Sequence, residues 1–558
     1  MSRFLATLLE SATGPDRDAR GMTTGEPHEP VRRTWAEIHR AALGAADALR
    51  RPGPSGEPVL PDGAAVGVLA GEPAQIAPVV QAVWLCGGSV TMLHQPTPRT
   101  DLAVWAEDTV ATLDMIGAAT VLLGPPFDAL APVLTERGVP FRMLADLDGD
   151  PAAVTASADV AGEDDTALLQ LTSGSTGNPK AVRITHANLD ANIAAMVAAS
   201  ELDVARDRMV SWLPLFHDMG MVGFLTVPMT VGLELVSVTP ADFLTRPRLW
   251  AELISKYGGT VTAAPNFAYA VLARQLVRVD DGALDLSTLR IALNGAEPID
   301  PAAVAAFTDA GARFGLRPGA VLCAYGMAET ALGVSFAPVG AGLVVDRVEA
   351  DALEEHHRAE PAAERPAREF PELGPPLPGI EVRVTGSDGA PRGPREVGAL
   401  QLRGRAVTPG YLTVDGPVAT QDADGWFDTG DEGYLTEAGA VVVCGRTKDV
   451  IIMGGRNIYP TDIERAAGAA DGVRAGNVVA VRVAAGEGRG RESFAIAVEA
   501  KGADTEEAVK AIRDDVVRRV VSAVGVRPAE VAVLAPGSLP KTPSGKLRRA
   551  ATAELITP

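Results

Sequence analysis

Apolar and polar positions in the first part of the chain follow two different periods. The stretches "TWAEIHRAALGAADALRR" and "PAQIAPVVQAVWLCGG" have helical spacing, whereas "AAVGVLA" is a short apolar run typical of a buried strand. Helix-like and strand-like segments continue to alternate through about residue 325. This order predicts an α/β body with layered, partly parallel sheets.

The pattern changes twice after that body. "IEVRV", "GALQLRG" and "AVVVCG" predict the short strands of a β-rich subdomain. Further on, "YPTDIERAAG" predicts a helix, and "GNVVAVRV" and "SFAIAVEA" predict two strands. A last amphipathic helix is expected to start at a capping pair of Asp504 and Glu507 and to stop at Gly525. We predict a large domain over residues 1–445 and a small, mobile α+β domain over residues 446–558.

One segment interrupts the alternation. Residues 346–372, "DRVEADALEEHHRAEPAAERPAREFPE", are rich in charge, alanine and proline. Charge runs of this kind usually lie on a solvated face. The sequence therefore predicts an inserted, solvent-facing segment, which we call the insertion.

Composition narrows the class of protein. A chain of 558 residues exceeds one compact core, and a net charge of −21 disfavours binding to nucleic acid or anionic membranes. Three scattered cysteines without metal spacing indicate a reducing cytoplasm and no disulfide framework. The N-terminus lacks a signal-peptide pattern, and no apolar run approaches the length of a membrane span. We expect a cytoplasmic protein with no membrane span and no nucleic-acid partner.

A loop of small and hydroxylated residues is the first candidate site. "LTSGSTGNPKAVRITH", residues 171–186, lies between two predicted strands, so it is not a Walker loop, which opens a helix. Its hydroxyl and backbone N–H donors suit phosphate oxygens, although an ordinary glycine-rich turn is the alternative. The candidate phosphate-binding residues are Thr172, Ser173, Gly174, Ser175, Thr176, Gly177 and Lys180.

Three further motifs each have an ordinary alternative. In "AYGMAET", Tyr325 suits stacking on a nucleobase and Glu329 suits Mg²⁺, but a buried Tyr and a surface Glu explain it too. In "GWFDTGDEGYL", one of the carboxylates Asp428 and Asp431 suits both hydroxyls of a ribose, although an ordinary Asp/Gly turn is the alternative. In "LPKTPSGKLRRA", Lys546 lies at the tip of a basic loop that also fits a solvated face.

Together and in this order, the motifs resemble the superfamily of adenylate-forming enzymes, which includes acyl-CoA synthetases, luciferases and nonribosomal adenylation domains. The resemblance covers nearly the whole chain. It implies ATP and Mg²⁺, with Glu329 as the metal ligand and Lys546 as the catalytic lysine carried by the small domain. It implies that Lys448 lies at the hinge on which the small domain rotates between two half-reactions. The implied nucleotide-binding residues also include Asn294, Gly295, Ala296, Glu297, Gly326, Met327, Ala328, Asp431 and Arg446.

The apolar segment "SWLPLFHDMGMVGFLTVPM" and the later "TAAPNFAYAVL" resemble the fatty acyl-AMP ligase branch of this superfamily. There the match to His217 lies near the acyl carboxylate, although a buried helix with one satisfied histidine is the alternative reading. The segments are expected to line an apolar acyl channel. Its candidate residues are Trp212, Phe216, Met219, Phe224, Phe267 and Tyr269.

The resemblance also implies an acceptor. In the fatty acyl-AMP ligase branch an insertion at this place accompanies poor use of CoA and transfer of the acyl group to a carrier protein. We therefore expect a medium- or long-chain fatty acid as substrate and a separate acyl carrier protein as partner, with Arg548 and Arg549 as candidate carrier contacts. The alternatives are an acyl-CoA synthetase and, from another class, a catalytically silent nucleotide- or lipid-binding protein.

Overall fold

A computed structural model describes residues 1–54, 56, 59–96, 100–154, 160–173, 179–363, 367–453, 456–483, 493–541 and 546–556. The described helices are α1 (Arg3–Thr13), α2 (Trp35–Leu49), α3 (Pro73–Leu85), α4 (Leu102–Ile116), α5 (Ala131–Glu136), α6 (His186–Ala199), α7 (Val227–Val231), α8 (Pro240–Thr245), α9 (Arg248–Tyr257), α10 (Asn266–Leu276), α11 (Pro301–Ala312), α12 (Ala350–His356), α13 (Pro460–Gly468), α14 (Glu506–Val524) and α15 (Arg549–Ile556). A π-helical segment, Met219–Thr226, leads into α7.

The described strands up to the insertion are β1 (Gly21–Thr24), β2 (Val31–Thr34), β3 (Ala65–Leu69), β4 (Ser89–Met92), β5 (Ala118–Leu123), β6 (Phe141–Met143), β7 (Thr166–Ser173), β8 (Pro179–Thr185), β9 (Arg208–Ser211), β10 (Glu234–Ser237), β11 (Val261–Ala264), β12 (Ile291–Asn294), β13 (Val321–Gly326) and β14 (Gly333–Phe336). The later strands are β15 (Val345–Glu349), β16 (Ala367–Pro371), β17 (Ile380–Thr385), β18 (Gly398–Gly404), β19 (Gly410–Thr413), β20 (Gly416–Ala419), β21 (Phe427–Leu435), β22 (Val441–Arg446), β23 (Ile451–Met453), β24 (Arg456–Ile458), β25 (Val473–Val483), β26 (Ser493–Ala500) and β27 (Glu530–Leu534).

Two eight-stranded sheets form the body of the large domain. The first has the order β14-β13-β12-β11-β9-β10-β1-β2 and is parallel from β13 to β1. The second has the order β20-β19-β8-β7-β4-β3-β5-β6 and is parallel from β7 to β6. Helices cover these sheets, as a parallel sheet requires. The predicted α/β class with partly parallel sheets is confirmed.

Local sequence signals set several of these elements. α2 begins at a capping box in which the Thr34 side chain accepts from Glu37 N and the Glu37 carboxylate accepts from Thr34 N. α3 begins at Pro73, where a missing N–H is not needed. The antiparallel sheet β17-β18-β21-β22 supplies the predicted β-rich subdomain. These elements pack as apolar layers around one large core cluster that runs from Phe4 to Phe427.

The C-terminal part has its own core. β25, β26 and β27 form a three-stranded sheet, and α14 covers it with Ile512, Val516 and Val520 buried. α14 ends at Gly525, which adopts φ +72°, as predicted. Its N-cap is Thr505, whose side chain accepts from Ala508 N, so the expected cap at Asp504 is one residue off. The helix starts one residue later because the Thr505 hydroxyl fits the cap geometry.

The expectation that residues 346–372 face solvent is wrong for the centre of the insertion. β15 and β16 pair in antiparallel fashion, and α12 follows β15. Val348 and Leu353 are fully buried in a cluster that also contains Tyr434 and Tyr459. The insertion is therefore a packed element that joins the large domain to the small one.

Charged side chains make most of that junction. Within the insertion, Glu354 pairs with Arg368, and both are almost completely buried. Glu354 also accepts from Arg456 of the small domain, at 2.9 Å from Nε. Arg368 reaches Asp462 at 3.2 Å and donates to Ala523 O at 2.9 Å, both in the small domain. The charged residues of the insertion look solvated in the sequence because their partners in the small domain lie about 100 residues or more away.

All three cysteines are free and buried. Burial raises the pKa of the Cys86 thiol to about 11 and that of Cys323 to about 12. Burial also raises the pKa of Cys444. Among the helices that the structure describes, none is both long and apolar enough to cross a membrane.

Candidate active site

The C-terminal ends of the central strands open onto one cleft between the two domains. Side chains at the ends of β7, β11, β12 and β13 line it, and so do residues of the small domain. Ligands of open α/β sheets bind at this end of the strands. The cleft has a volume of about 3070 Å³, which is enough for more than one substrate.

The candidate phosphate loop connects β7 to β8, which are antiparallel neighbours. Thr172 and Lys180 are directly paired across the two strands, and both line the cleft. Among the residues that the structure describes, the buried Thr172 Oγ1 has no hydrogen-bond partner, so it is ready for a ligand oxygen. Ser173 is the last residue of β7. The other predicted loop residues, Gly174, Ser175, Thr176 and Gly177, lie outside the described residues.

Glu329 lies next to the strand end that carries Lys180. Its Oε1 is 3.5 Å from Lys180 Nζ and accepts from the Tyr411 hydroxyl at 2.8 Å. Lys180 Nζ also lies 3.7 Å from the centre of the Tyr411 ring. Burial and the neighbouring Glu329 charge raise the pKa of Tyr411, so this phenol stays a hydrogen-bond donor. No sequence motif indicated Tyr411, which enters the site because β19 pairs with β8.

A carboxylate of this kind fits the implied magnesium ion. Mg²⁺ in nucleotide enzymes is usually held by one or two carboxylates together with substrate phosphates. Oε1 of Glu329 makes the contacts with Lys180 and Tyr411, and Oε2 makes neither of them. Glu329 also lies near the loop that is expected to hold phosphate. Within the described parts of the chain, no three His, Cys, Asp or Glu residues form a separate metal cage.

Tyr325 and Arg446 line the other wall of the cleft, and the buried Asp431 contacts both from behind it. The Tyr325 hydroxyl donates to Asp431, and Arg446 Nε is 2.8 Å from Asp431 Oδ1. Asp431 and Arg446 are cross-strand partners on β21 and β22. Burial raises the pKa of Asp431 even though the charge of Arg446 opposes the shift. A polar ligand such as a ribose would find the half-exposed Arg446 guanidinium here, whereas Asp431, the predicted ribose residue, does not line the cleft and Asp428 of the same motif does.

The adjacent backbone comes close to the cleft. A Cβ at Gly326 would lie 2.3 Å from Leu332 O, so only glycine fits this turn. The neighbouring Met327 and Ala328 are buried at the same wall. Gly295 and Ala296 also line the cleft, and Ala296 has φ +67°. Together these positions leave space for a flat group beside Tyr325.

Asn294 and Glu297, which were also predicted to bind nucleotide, differ in whether they line the cleft. Asn294 is fully buried and does not line the cleft, and its Nδ2 donates to Asn266 Oδ1 at 3.2 Å. Glu297 lines the cleft and accepts from Phe267 N at 2.6 Å. Burial raises the pKa of Glu297, while that hydrogen bond and the charge of Lys546 oppose the shift.

His217 lies at the junction of the polar and apolar parts of the cleft. Its Nδ1 is 2.6 Å from Asp218 Oδ1, so Nε2 is the nitrogen available to a substrate. Next to it, the His94 ring packs edge-on against Phe216 at 5.7 Å. Burial, with a smaller effect of His217, lowers the pKa of His94 to about 4, so His94 is neutral near pH 7. No sequence motif indicated His94.

Lys546 enters this region from the small domain. Burial opposes ionisation of Asp218, but His217 and Lys546 together hold its pKa below the ordinary value. The charge of Lys546 is therefore felt by Asp218 and by Glu297, both in the large domain. Lys448, the predicted hinge residue, is exposed at the cleft in a short 3₁₀ turn between β22 and β23. The fold brings the two lysines to the same cleft from positions 98 residues apart.

The cleft continues into an apolar branch. Trp212, Phe216, Met219, Phe224 and Phe267 line it, as predicted. Trp212 stacks on Phe243 at 3.9 Å, which fixes the indole. The prediction for Tyr269 is wrong. Its ring is buried between Trp250 and Phe307, and its hydroxyl donates to Leu293 O at 2.7 Å.

Comparison with known proteins agrees with this geometry. Residues 10–412 match the family described as "AMP-binding enzyme". The chain is an AMP-binding enzyme. The enzyme is 55% identical, over the whole length of both chains, to a Mycobacterium tuberculosis protein with the provisional name ligase Rv1013. It is 33% identical to the long-chain-fatty-acid–AMP ligase FadD26 of Mycobacterium marinum, over 70% of this chain and 69% of that one.

A solved structure extends the comparison to the whole fold. It comes from work on fatty acyl-adenylate ligases of E. coli and L. pneumophila and is 31% identical to the enzyme. The match has a TM-score of 0.87 and covers 100% of this chain and 98% of the other. The AMP-binding enzyme therefore has the architecture of adenylate-forming enzymes, with a large N-terminal and a small C-terminal domain.

Proposed function

We propose that the enzyme is a fatty acyl-AMP ligase. It activates a medium- or long-chain fatty acid with MgATP to an acyl-adenylate and pyrophosphate, and then transfers the acyl group to the phosphopantetheine thiol of a separate acyl carrier protein. One observation carries this proposal. A single cleft joins the polar wall of Lys180, Glu329 and Lys546 to a long apolar branch.

The apolar branch suits an unbranched hydrocarbon. It runs along the sheet towards the N-terminal ends of β9, β11 and β12, where Met209, Val261 and Ile291 line it. From Asn294 back to Ile291 is three residue steps, or about 10 Å of strand. These three residues are almost completely buried, so a chain lying there leaves water. An apolar wall of this kind offers no partner for the ammonium group of an amino acid.

A buried ion pair lies behind one residue of that branch, Ser200. Arg290 donates to both oxygens of Asp207, at 2.7 Å from Nε and 2.5 Å from Nη2. Thr260 Oγ1 adds a hydrogen bond of 2.9 Å to Asp207. Arg290 also donates to the carbonyl of Ser200, a residue that lines the branch. Breaking a buried pair is costly, so the pair resists any movement that would lengthen the branch past Ser200.

The first half-reaction follows from the charges at the junction. The fatty carboxylate, already ionised near pH 7, attacks the α-phosphorus, the bond to the β-phosphate oxygen breaks and pyrophosphate leaves. Lys546 and Lys180 stabilise the negative charge that spreads over the phosphoryl group. His217 Nε2 is placed to orient the carboxylate. Glu329 would hold a magnesium ion together with the phosphates, and that ion would supply positive charge to the leaving group. No general base is needed.

The insertion supports carrier protein over CoA as the acceptor. Its ion pairs with Arg456 and Asp462 hold the small domain in place. Restricted movement disfavours a small acceptor such as CoA, because the adenylate stays covered unless contacts with a protein partner offset these ion pairs. The acyl-CoA synthetase reading remains the competing one, and the acceptor assay separates the two.

Product analysis by mass spectrometry tests the proposal. The purified enzyme is incubated with MgATP, a series of fatty acids, and either CoA or a phosphopantetheinylated carrier protein. Accumulation of acyl-AMP with CoA and its consumption by the carrier are expected. Rapid formation of acyl-CoA would make the enzyme an acyl-CoA synthetase, and absence of acyl-AMP with every acid would overturn the fatty acid assignment.

A further inference from the structure

One face of α10 forms a groove along the cleft. Phe267, Ala270, Val271 and Arg274 line the cleft at helical spacing, and Arg278 continues the line just beyond the end of the helix. The groove is apolar at the Phe267 end, next to Glu297 and the active site. It is cationic at the other end. Eleven residue steps separate Phe267 from Arg278, which corresponds to about 16 Å of helix.

The two arginines at the outer end are not neutralised. Both are exposed, and within the described parts of the chain neither makes an ion pair or a side-chain hydrogen bond. Of the two arginines that the sequence suggested as carrier contacts, Arg548 is exposed at the cleft and makes no ion pair within the described residues. The other, Arg549, lies 2.6 Å from Glu464 and 3.3 Å from Asp449. In a chain with a net charge of −21, a pair of free cations at a cleft mouth attracts an anionic partner locally.

Exposed apolar side chains accompany these cations. Val277 is 69% exposed and Leu244 is 68% exposed, the highest values among the large apolar side chains that the structure describes. Leu244 also lines the cleft, and Val277 lies between the two arginines in sequence. Apolar and cationic groups on one surface suit a folded partner with an acidic, partly apolar face better than a small anion.

We propose that this surface, the α10 rim (Arg274, Val277 and Arg278), docks the acyl carrier protein. The inference rests on the proposed function. The arginines bind the phosphate of the phosphopantetheine arm and acidic side chains of the carrier around it. The arm lies along the α10 groove, and its thiol reaches the adenylate near Phe267. Because α10 belongs to the large domain, the rim stays in place when the small domain rotates.

The transfer step balances at this position. The thiol sulfur attacks the acyl carbonyl carbon and forms the thioester bond. The bond from that carbon to the phosphate oxygen breaks, AMP leaves with the electron pair, and the thiol proton passes to solvent. No oxidant or further reactant is required.

Charge reversal tests the rim. The double variant Arg274→Glu/Arg278→Glu is compared with Arg33→Glu/Arg40→Glu, which changes two exposed arginines outside the cleft by the same charge. Acyl-AMP formation without acceptor is the internal reference. Transfer from preformed acyl-AMP is then measured against carrier concentration, and separately with free pantetheine, which has a thiol but no phosphate.

The rim variant is expected to raise the KM for the carrier at least tenfold, with the rate to free pantetheine within twofold of wild type. The control variant is expected to keep the wild-type KM. Val277→Asp, which adds a negative charge at the same place, should raise the KM in the same direction. An unchanged carrier KM in the rim variant, or an equal rise in the control, would overturn the docking site. Loss of acyl-AMP formation in the wild-type protein would instead refute the proposed function.

Discussion

Replacing Arg456 by Gln is expected to loosen the contact between the insertion and the small domain. Arg456 directs Nε and Nη2 at one oxygen of Glu354, whose side chain is only 1% exposed. A hydrogen bond to a charged group contributes about 1.5–3 kcal/mol when buried, and Arg456 is 30% exposed, so we take about 2 kcal/mol. Glu354 keeps Arg368 as a partner. The loss therefore falls on the domain contact and not on folding.

A change of about 2 kcal/mol shifts the open population about 30-fold. Hydrogen exchange read by mass spectrometry measures this shift, because amides of α12 and α13 exchange when the domains separate. Their exchange should be about 30-fold faster in Arg456→Gln. Arg518→Gln, which removes a guanidinium that is 73% exposed on α14, is the matched control and should leave these rates unchanged.

Equal exchange in the variant and in wild type would refute the reasoning, since it would mean that the buried pair does not hold the domains. Faster exchange throughout the core of the large domain would refute it in another way, by showing that Arg456 supports folding.

Four further predictions concern single residues. Lys546→Ala should lower pyrophosphate release about 100-fold or more with ATP binding retained, as measured by a coupled assay and by calorimetry. Lys448→Pro should spare acyl-AMP formation and slow thiol transfer, because proline restricts the backbone at the predicted hinge; equal loss of both half-reactions would contradict a hinge role. Met209→Phe should shift products towards shorter chains, with about tenfold loss for each methylene that no longer fits, and an unchanged product series would show that the chain does not reach Met209. Burial lowers the pKa of His186 from 6.5 to about 4, so only the unfolded chain gains a proton at this residue as pH falls from 7 to 5. The free energy of unfolding should therefore fall by about 2 kcal/mol over that range because of His186. In His186→Gln, denaturant titration should show a fall that is smaller by this amount.

The sequence predicted most of the fold because its periodicities are local. Strand and helix signals were strong where apolar spacing was regular, as in α2 and β3. Gly525 marked the end of α14 because a left-handed residue favours glycine. The cap at Thr505 was harder to place, since Asp504 beside it has the same chemistry.

Site residues could be predicted where they belong to a short motif with a recognisable chemical role. They could not be predicted where they reach the site through pairing of distant strands. Thr172, Lys180 and Glu329 stand in recognisable motifs and meet in the cleft. Tyr411 lies on a strand more than 200 residues from Lys180, and no local sequence pattern predicts that β19 pairs with β8.

Residues close in sequence also separate in space. Tyr269 was placed in the acyl channel with Phe267, but residues two apart on a helix point to different sides. Phe267 lines the cleft while Tyr269 turns into the core. The insertion is the opposite case. Glu354 and Arg368 read as solvated charges, yet they are buried because each meets an opposite charge.

The three buried thiols have a practical consequence. Only a thiolate is a good nucleophile, and burial keeps Cys86, Cys323 and Cys444 protonated near pH 7. The proposed acyl-adenylate, a reactive mixed anhydride, therefore finds no accessible thiol among these three cysteines to acylate. The same property makes the wild-type chain a clean background for maleimide dyes. One cysteine added to each domain would be labelled selectively, so the predicted rotation of the small domain can be tested by energy transfer without removing any native residue.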